Sequence, residues 1–150
     1  MTGLIIFLII IVVFGASRLP ALGKRVILPR ETAKLCLRDG GYELTGADAY
    51  HEKRMALGVP EAGFELLPEK TFPLEANLDL LHAVDYQKGC FIGQEVTSRT
   101  HRQGKVRKRI LPVSASSALP KAGTAIMAGE RQAGELLSRH GPQGLALLRL

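Results

Sequence analysis

Between residues 88 and 95 the chain reads Lys88-Gly89-Cys90-Phe91-Ile92-Gly93-Gln94-Glu95. Gly89 and Gly93 permit a tight turn and let the backbone come close to a ligand or another chain. An ammonium group beside a cysteine favours the thiolate, which is the reactive form. We therefore take Cys90 and Lys88 as the candidate catalytic residues. The alternative is that Cys90 is a buried cysteine that packs in a turn as a small hydrophobe.

The rest of the chain predicts an α+β protein. Helices are expected at residues 31–38, 45–57 and 74–84, where apolar residues recur at helical spacing or Gly and Pro punctuate the ends. Thr45 is expected to cap the second helix. Strands are expected at residues 24–28 and 105–113. After them, short apolar runs between turn residues predict a small β-barrel.

Three regions follow from this pattern. They are a hydrophobic N-terminal segment (residues 1–14), an α+β portion (residues 15–103) and a C-terminal β-barrel domain (residues 104–150). The last run, residues 144–150, ends on apolar residues, which we interpret as a barrel strand interrupted along its course.

The N-terminal segment contains eleven consecutive apolar residues, Leu4 to Phe14. Spanning a bilayer takes about 20 residues, and the run is rich in Ile and Val. We therefore expect a buried strand or a segment whose natural partner is missing, with a membrane anchor as the weaker alternative.

The formal charge is +6, and six cations without an acid fall between residues 99 and 109. Such a patch attracts phosphates and other polyanions. The strand alternation places Lys105, Arg107 and Arg109 on one face. That face is either a solvated surface or a patch for tRNA, with Arg102 joining the other three as candidate polyanion-binding residues. Residues 99–113 contain no Phe, Tyr or Trp side chain on which a base could stack.

Cys36 and Cys90 are the two cysteines of the chain. Two thiols cannot supply the four ligands of an iron–sulfur cluster or of a structural zinc site, so no metal site is expected. Their number suggests a reducing compartment, with the cytoplasm as the default.

Arg54 falls in the apolar stripe of the second predicted helix. A buried guanidinium needs a carboxylate partner because an unpaired buried charge is costly. Glu61 and Glu75 are the candidates for an internal ion pair. The alternative is a contact from Arg54 to a bound ligand.

The segment Lys88 to Arg99 resembles the signature of YgfZ-type folate-binding proteins, Lys-Gly-Cys-Phe/Tyr-x-Gly-Gln-Glu with a following Arg. The resemblance extends outward, from residues 50–58 and Pro73-Leu74-Glu75-Ala76-Asn77 on one side to residues 120–134 on the other. It covers roughly residues 14–150. This family is similar to the T-protein of glycine cleavage, a tetrahydrofolate-dependent aminomethyltransferase.

The resemblance implies a partial T-protein-like folate-binding domain followed by a small β-barrel. It also implies a folate-dependent accessory role in the assembly or repair of iron–sulfur clusters, which indirectly supports tRNA modification. Iron–sulfur proteins or their assembly machinery would be the partners, in the cytoplasm or, in a eukaryote, in the mitochondrial matrix. Whether the chain is an enzyme stays open. An aminomethyltransferase and a tRNA-binding module are the alternative functions.

The implied cofactor is tetrahydrofolate, and the implied cofactor-binding residues are Arg54, Gly89, Gly93, Gln94, Glu95 and Arg99. In YgfZ-type proteins a sizeable N-terminal region builds much of the folate pocket. Residues 1–11 stand in its place here. We therefore expect this chain to bind tetrahydrofolate weakly or not at all.

Overall fold

The computed structural model describes residues 12–15, 19–27, 29–43, 45–89, 92–104 and 106–150. The chain divides into two compact units, Met1–Thr45 and Gly46–Leu150. The domain boundaries predicted after residues 14 and 103 stay predictions.

The first unit contains a two-stranded antiparallel sheet. Strand β1 (Val12–Gly15) pairs with β2 (Lys24–Ile27), so that Val12 lies opposite Ile27. A short 3-10 turn, Pro20–Leu22, lies between the strands. The last three residues of the hydrophobic run, 12–14, therefore belong to a strand. Residues 4–11 of the run lie outside the described residues.

Helix α1 (Arg30–Asp39) completes the first unit. It begins directly after Pro29, whose fixed φ suits the position before a helix, and it ends at Gly40. The predicted helix at residues 31–38 is confirmed. No helix in the described part of the chain is long and apolar enough to cross a membrane.

The second unit begins with helix α2 (Ala47–Ala56). Its N-cap residue is Gly46, one residue after the predicted cap at Thr45. The helix ends in a Schellman motif, because Val59 N–H donates to Arg54 O and Gly58 N–H donates to Met55 O. Gly58 has a φ of 67°, the left-handed conformation that this ending requires and that glycine adopts without strain.

Residues 73–82 form consecutive turns, so the helix predicted at residues 74–84 is wrong. Asn77 and His82 have φ values of 58° and 54°, which a continuous right-handed helix excludes. The reason is tertiary: the segment bonds to the sheet at Ile110. Ile110 N–H donates to Glu75 O at 2.8 Å, and the Asn77 side-chain amide donates to Ile110 O.

Helix α3 (Glu95–Gln103) follows the loop of residues 88–94. It ends at Gly104, which has a φ of 61°. Glu95 in the first turn and Arg102 in the last turn both complement the helix dipole.

The remaining strands form one four-stranded antiparallel sheet in the order β3-β6-β5-β4. They are β3 (Lys108–Ser114), β4 (Ala125–Ala128), β5 (Arg131–His140) and β6 (Gln143–Arg149). The apolar final run is therefore a central strand. The strand predicted at residues 105–113 begins at Lys108.

The core of the second unit lies between α2 and the sheet. Met55 from α2 packs with Ala76 from the turns, Ile110 from β3 and Leu145 from β6, all of them buried. The described residues thus form three helices, a two-stranded sheet and a four-stranded antiparallel sheet, which confirms the α+β class. The likeness of residues 15–103 to a T-protein domain stays a proposal.

Candidate functional site

The loop of residues 88–94 depends on its two glycines. Gly89 and Gly93 have φ values of 88° and 90°, and a Cβ added at either would meet open space. The glycines are therefore needed for backbone conformation, since any other residue would be strained there. Cys90 and Phe91, between them, lie outside the described residues.

Gln94 closes this loop. Its side-chain Nε2 donates a hydrogen bond of 2.9 Å to Gly89 O, across a separation of five residues. The amide that the family resemblance assigns to folate thus has a partner within the loop itself. Glu95 is exposed and begins α3, and Lys88 is exposed just before Gly89.

A stacked ring pair joins the chain before the loop to the last turn of α3. The Tyr86 and His101 rings lie 3.7 Å apart between centroids, with an interplanar angle of 15°. Desolvation raises the pKa of Tyr86, with a further contribution from the negative charge of Asp79, while the positive charge of Arg109 opposes the increase. The contact holds the two ends of the loop-and-helix segment together. Sequence reasoning did not find this contact.

Arg54 lies inside the second unit, where only 1% of its surface is exposed. Its guanidinium makes three hydrogen bonds of 2.9–3.1 Å to the buried carboxylate of Glu65. Its Nε lies 3.2 Å from Glu61 Oε2 and donates to His51 Nδ1 at 3.0 Å. Of the two alternatives for Arg54, the structure therefore contains the internal ion pair.

The partners of Arg54 were only partly predicted. Glu61 takes part as expected, whereas Glu75 does not. Glu65, the main partner, was not among the candidates that the sequence suggested. The Glu65 carboxylate also accepts a hydrogen bond from the Ser138 hydroxyl on β5, so it links α2 to the sheet.

Arg109 differs from the expected surface cation. It donates to Asp79 Oδ1 and Oδ2 at 2.9 and 2.8 Å, and it also reaches Asn77 Oδ1 and Leu74 O. The hydrogen bonds from Arg109 are the largest cause of the lowered pKa of Asp79, and the same pair raises the pKa of Arg109. Lys105, Arg107 and Arg109 were expected to lie on a solvated strand face. For Arg109 this expectation is wrong, because its side chain donates hydrogen bonds to the turns of residues 74–79. Lys105 lies outside the described residues.

Other cations of the basic segment are exposed. None of them forms an ion pair with another described residue, and Glu95 is the one carboxylate in residues 92–108. They lie on α3 or just before and at the start of β3. They are Arg99, Arg102, Arg107 and Lys108.

A cavity of about 250 Å³ lies against the face of α3 that contains Val96, Thr97 and Thr100. We call it the α3 cavity. Its walls come from the turn at residues 72–75, from one face of α3 and from the residues before β3. The lining residues are Phe72, Pro73, Leu74, Glu75, Val96, Thr97, Thr100, Val106 and Arg107.

In the described ranges, which omit Cys90, no group of three or more His, Cys, Asp or Glu side chains is arranged to hold a metal ion. Cys36 is a free, half-buried cysteine on α1 in the first unit.

Comparisons with known proteins agree with the β-rich C-terminal portion and with the loop motif. Residues 107–150 match the CAF17 C-terminal beta-barrel domain. The chain is 44% identical over 95 residues to the mitochondrial iron–sulfur cluster assembly factor IBA57 homolog of Neurospora crassa, covering 63% of this chain and 21% of that protein.

Two further relatives extend the match. The IBA57 homolog of Aspergillus fumigatus is 37% identical over 161 residues, covering 89% of this chain and 36% of that protein. Mitochondrial IBA57 of Mus musculus is 42% identical over 106 residues, covering 67% and 30%. The matched region thus spans between 21% and 36% of the length of these three relatives.

Proposed function

Because this chain belongs to the YgfZ/CAF17 family, we propose that it acts as an accessory protein in iron–sulfur cluster assembly, with Cys90 as its reactive group. The relatives bear the name of iron–sulfur cluster assembly factors. The observation that carries the proposal is the loop of residues 88–94. Gly89 and Gly93, which stand on either side of Cys90 in the sequence, are both in left-handed conformation, and the Gln94 side chain donates to Gly89 O.

The cluster would be a cargo that this chain shares with another protein. An iron–sulfur cluster takes four ligands, and the chain has two cysteines in all. In this proposal a thiolate at Cys90 supplies one ligand, and a partner that donates or accepts the cluster supplies others. Iron–sulfur proteins or their assembly machinery are the partners that this chemistry requires.

Folate is a separate part of the proposal. We propose that this chain alone binds tetrahydrofolate weakly or not at all, and three features support this. The Arg54 guanidinium is buried and paired with Glu65, the Gln94 amide is bonded to Gly89 O, and the α3 cavity is smaller than the ~300–1,000 Å³ of typical cofactor pockets. Arg54 and Gln94, two of the residues that the resemblance assigns to the cofactor, are thus already bonded within the protein, and no step of the mechanism uses the cofactor.

The location and the wider role follow from the relatives. Their names place them in mitochondria, so we propose the mitochondrial matrix for this chain in a eukaryotic host. Support of tRNA modification would be indirect, through thiolating enzymes that need an iron–sulfur cluster.

A chimera tests the proposal. In Aspergillus fumigatus cells without their own IBA57 homolog, the residues aligned with this chain are replaced by this chain within the homolog. We expect the chimera to restore cluster content in iron–sulfur enzymes, measured by electron paramagnetic resonance, whereas a homolog without the aligned residues does not. A chimera that accumulates normally and restores no cluster content would refute the assembly role.

A further inference from the structure

Ile92 is completely exposed to solvent, with a relative exposure of 103%. The other exposed large apolar residues in the described part of the chain keep between 37% and 70%. Single exposed apolar residues are common on protein surfaces, but each of the others is partly covered by the fold. Packing within the described residues therefore gains nothing from the Ile92 side chain.

The backbone around Ile92 is restrained. Gly93, the next residue, has a φ of 90°, and the Gln94 side chain donates to Gly89 O at 2.9 Å. This hydrogen bond directs the amide of Gln94 back to the backbone of the loop. Ile92 is the one apolar side chain among the described residues of the loop, and it faces solvent.

Ile92 also lies close to the proposed reactive group, because the covalent chain itself limits their separation. Two residues of polypeptide span at most about 7 Å, so the Cα atoms of Cys90 and Ile92 are no farther apart than that. A protein interface of standard size covers roughly 800 Å² on each partner, which is much wider. A partner that shares a cluster with Cys90 is therefore within reach of Ile92.

The chemistry of a shared cluster favours an apolar side chain at this place. The apolar shell around a metal site controls the access of solvent and the local dielectric, and solvent exposure changes the reduction potential of a cluster. An isoleucine beside the ligand can form part of such a shell. A polar side chain there would keep water beside the cluster.

We propose that Ile92 is a contact residue for the protein that shares the cluster with Cys90, and that it packs against an apolar surface beside that protein's own cluster ligands. This inference rests on the proposed function, since it requires Cys90 to ligate the cluster. It adds the chemistry of the partner surface. Because Ile92 is completely exposed in the chain alone, docking can bury its whole side chain, which is the largest hydrophobic gain that this residue can provide.

An expression series of the Aspergillus fumigatus chimera tests the contact. Ile92→Val and Ile92→Thr have nearly the same shape and differ in polarity, and Met127→Thr changes an exposed apolar residue on β4, outside the loop. Each chimera is expressed at graded levels, and the measured quantity is the amount of protein that gives half-maximal cluster content. All variants should accumulate and melt like the unmodified chimera, since exposed side chains contribute little to folding.

A lost contact weakens binding, and more protein compensates for weaker binding. Ile92→Thr should therefore need at least about tenfold more protein and reach the same plateau. Ile92→Val, which lacks one methylene group, should stay within about fourfold, and Met127→Thr should match the unmodified chimera. Cys90→Ser should restore no cluster content at any level.

The outcomes separate this contact from the proposed function. If Cys90→Ser restores nothing and Ile92→Thr needs no more protein than Ile92→Val, the contact is refuted while the function stands. A plateau that Ile92→Thr never reaches, or an equal shift in Met127→Thr, also overturns the contact. Full restoration by Cys90→Ser would refute the proposed function and the contact together.

Discussion

Arg54 and Glu65 form a bidentate ion pair in which both side chains are shielded from solvent, with exposed fractions of 1% and 0%. The Glu65 carboxylate also accepts from Ser138 on β5, and the Arg54 guanidinium reaches Val59 O. One charged pair thus connects α2, the turn after it and the sheet.

Removing one member of this pair should be strongly destabilising. Arg54→Met leaves the Glu65 carboxylate buried without its cation, which costs about 3 kcal/mol in comparable buried pairs. The double variant R54M/E65L removes both charges and should lose clearly less than the sum of the two single variants. Urea unfolding of all three measures this. Additive losses would mean that the two side chains do not act as a pair.

Acidification should weaken the second unit through Asp79. Hydrogen bonds from Arg109 lower the pKa of Asp79 in the folded protein below its ordinary value of 3.8. The pair therefore contributes its full stability above pH 3.8 and loses it as the pH falls through the lower, folded-state pKa. Asp79→Asn should be less stable at neutral pH, and the gap to the unmodified chain should narrow on acidification. A gap that stays constant down to pH 2 would contradict this assignment.

The Gln94 bond should control how far the loop opens. Gln94→Leu removes the donor to Gly89 O and keeps a side chain of similar size. A hydrogen bond of this kind contributes about 1 kcal/mol, so trypsin should cleave after Lys88 about fivefold faster. Cleavage after Arg131, on the sheet, serves as the internal control. If the rate after Lys88 is unchanged, the bond does not close the loop.

Isothermal titration calorimetry measures whether this chain binds tetrahydrofolate. We expect no detectable heat on titrating tetrahydrofolate into this chain, because Arg54 and Gln94 are already bonded within the protein. The Aspergillus fumigatus relative, which is longer, provides the comparison for a YgfZ/CAF17-type protein. Micromolar binding by the isolated chain would contradict the account.

The sequence predicted the local features well and the long-range ones poorly. Helices α1 and α2 and strand β2 follow from apolar spacing, Pro29 and Gly58, which act within a few residues. The family resemblance, drawn from Lys88 to Glu95 and its flanks, is confirmed by the matches to the CAF17 barrel and to IBA57 relatives.

The failures have one physical origin. The apolar spacing of residues 74–84 is compatible with a helix, but their hydrogen bonds to Ile110, which is distant in sequence, select turns instead. Likewise Arg109 follows the alternation of a strand, yet its charge is drawn inward by Asp79, which is thirty residues away in the chain. Neither partner can be identified from local pattern, because the contact exists only once the sheet and the turns meet. The site residues themselves, with Cys90 and Lys105 outside the described ranges, stay predictions.

The central claim is that Cys90 acts through its thiol, and a serine scan in the chimera tests it most directly. Cys90→Ser and Cys36→Ser each replace one sulfur by oxygen with little change in size, so both proteins should accumulate and melt like the unmodified chimera. We predict that Cys36→Ser restores the cluster content of iron–sulfur enzymes in full and that Cys90→Ser restores none. Full restoration by Cys90→Ser would contradict the account.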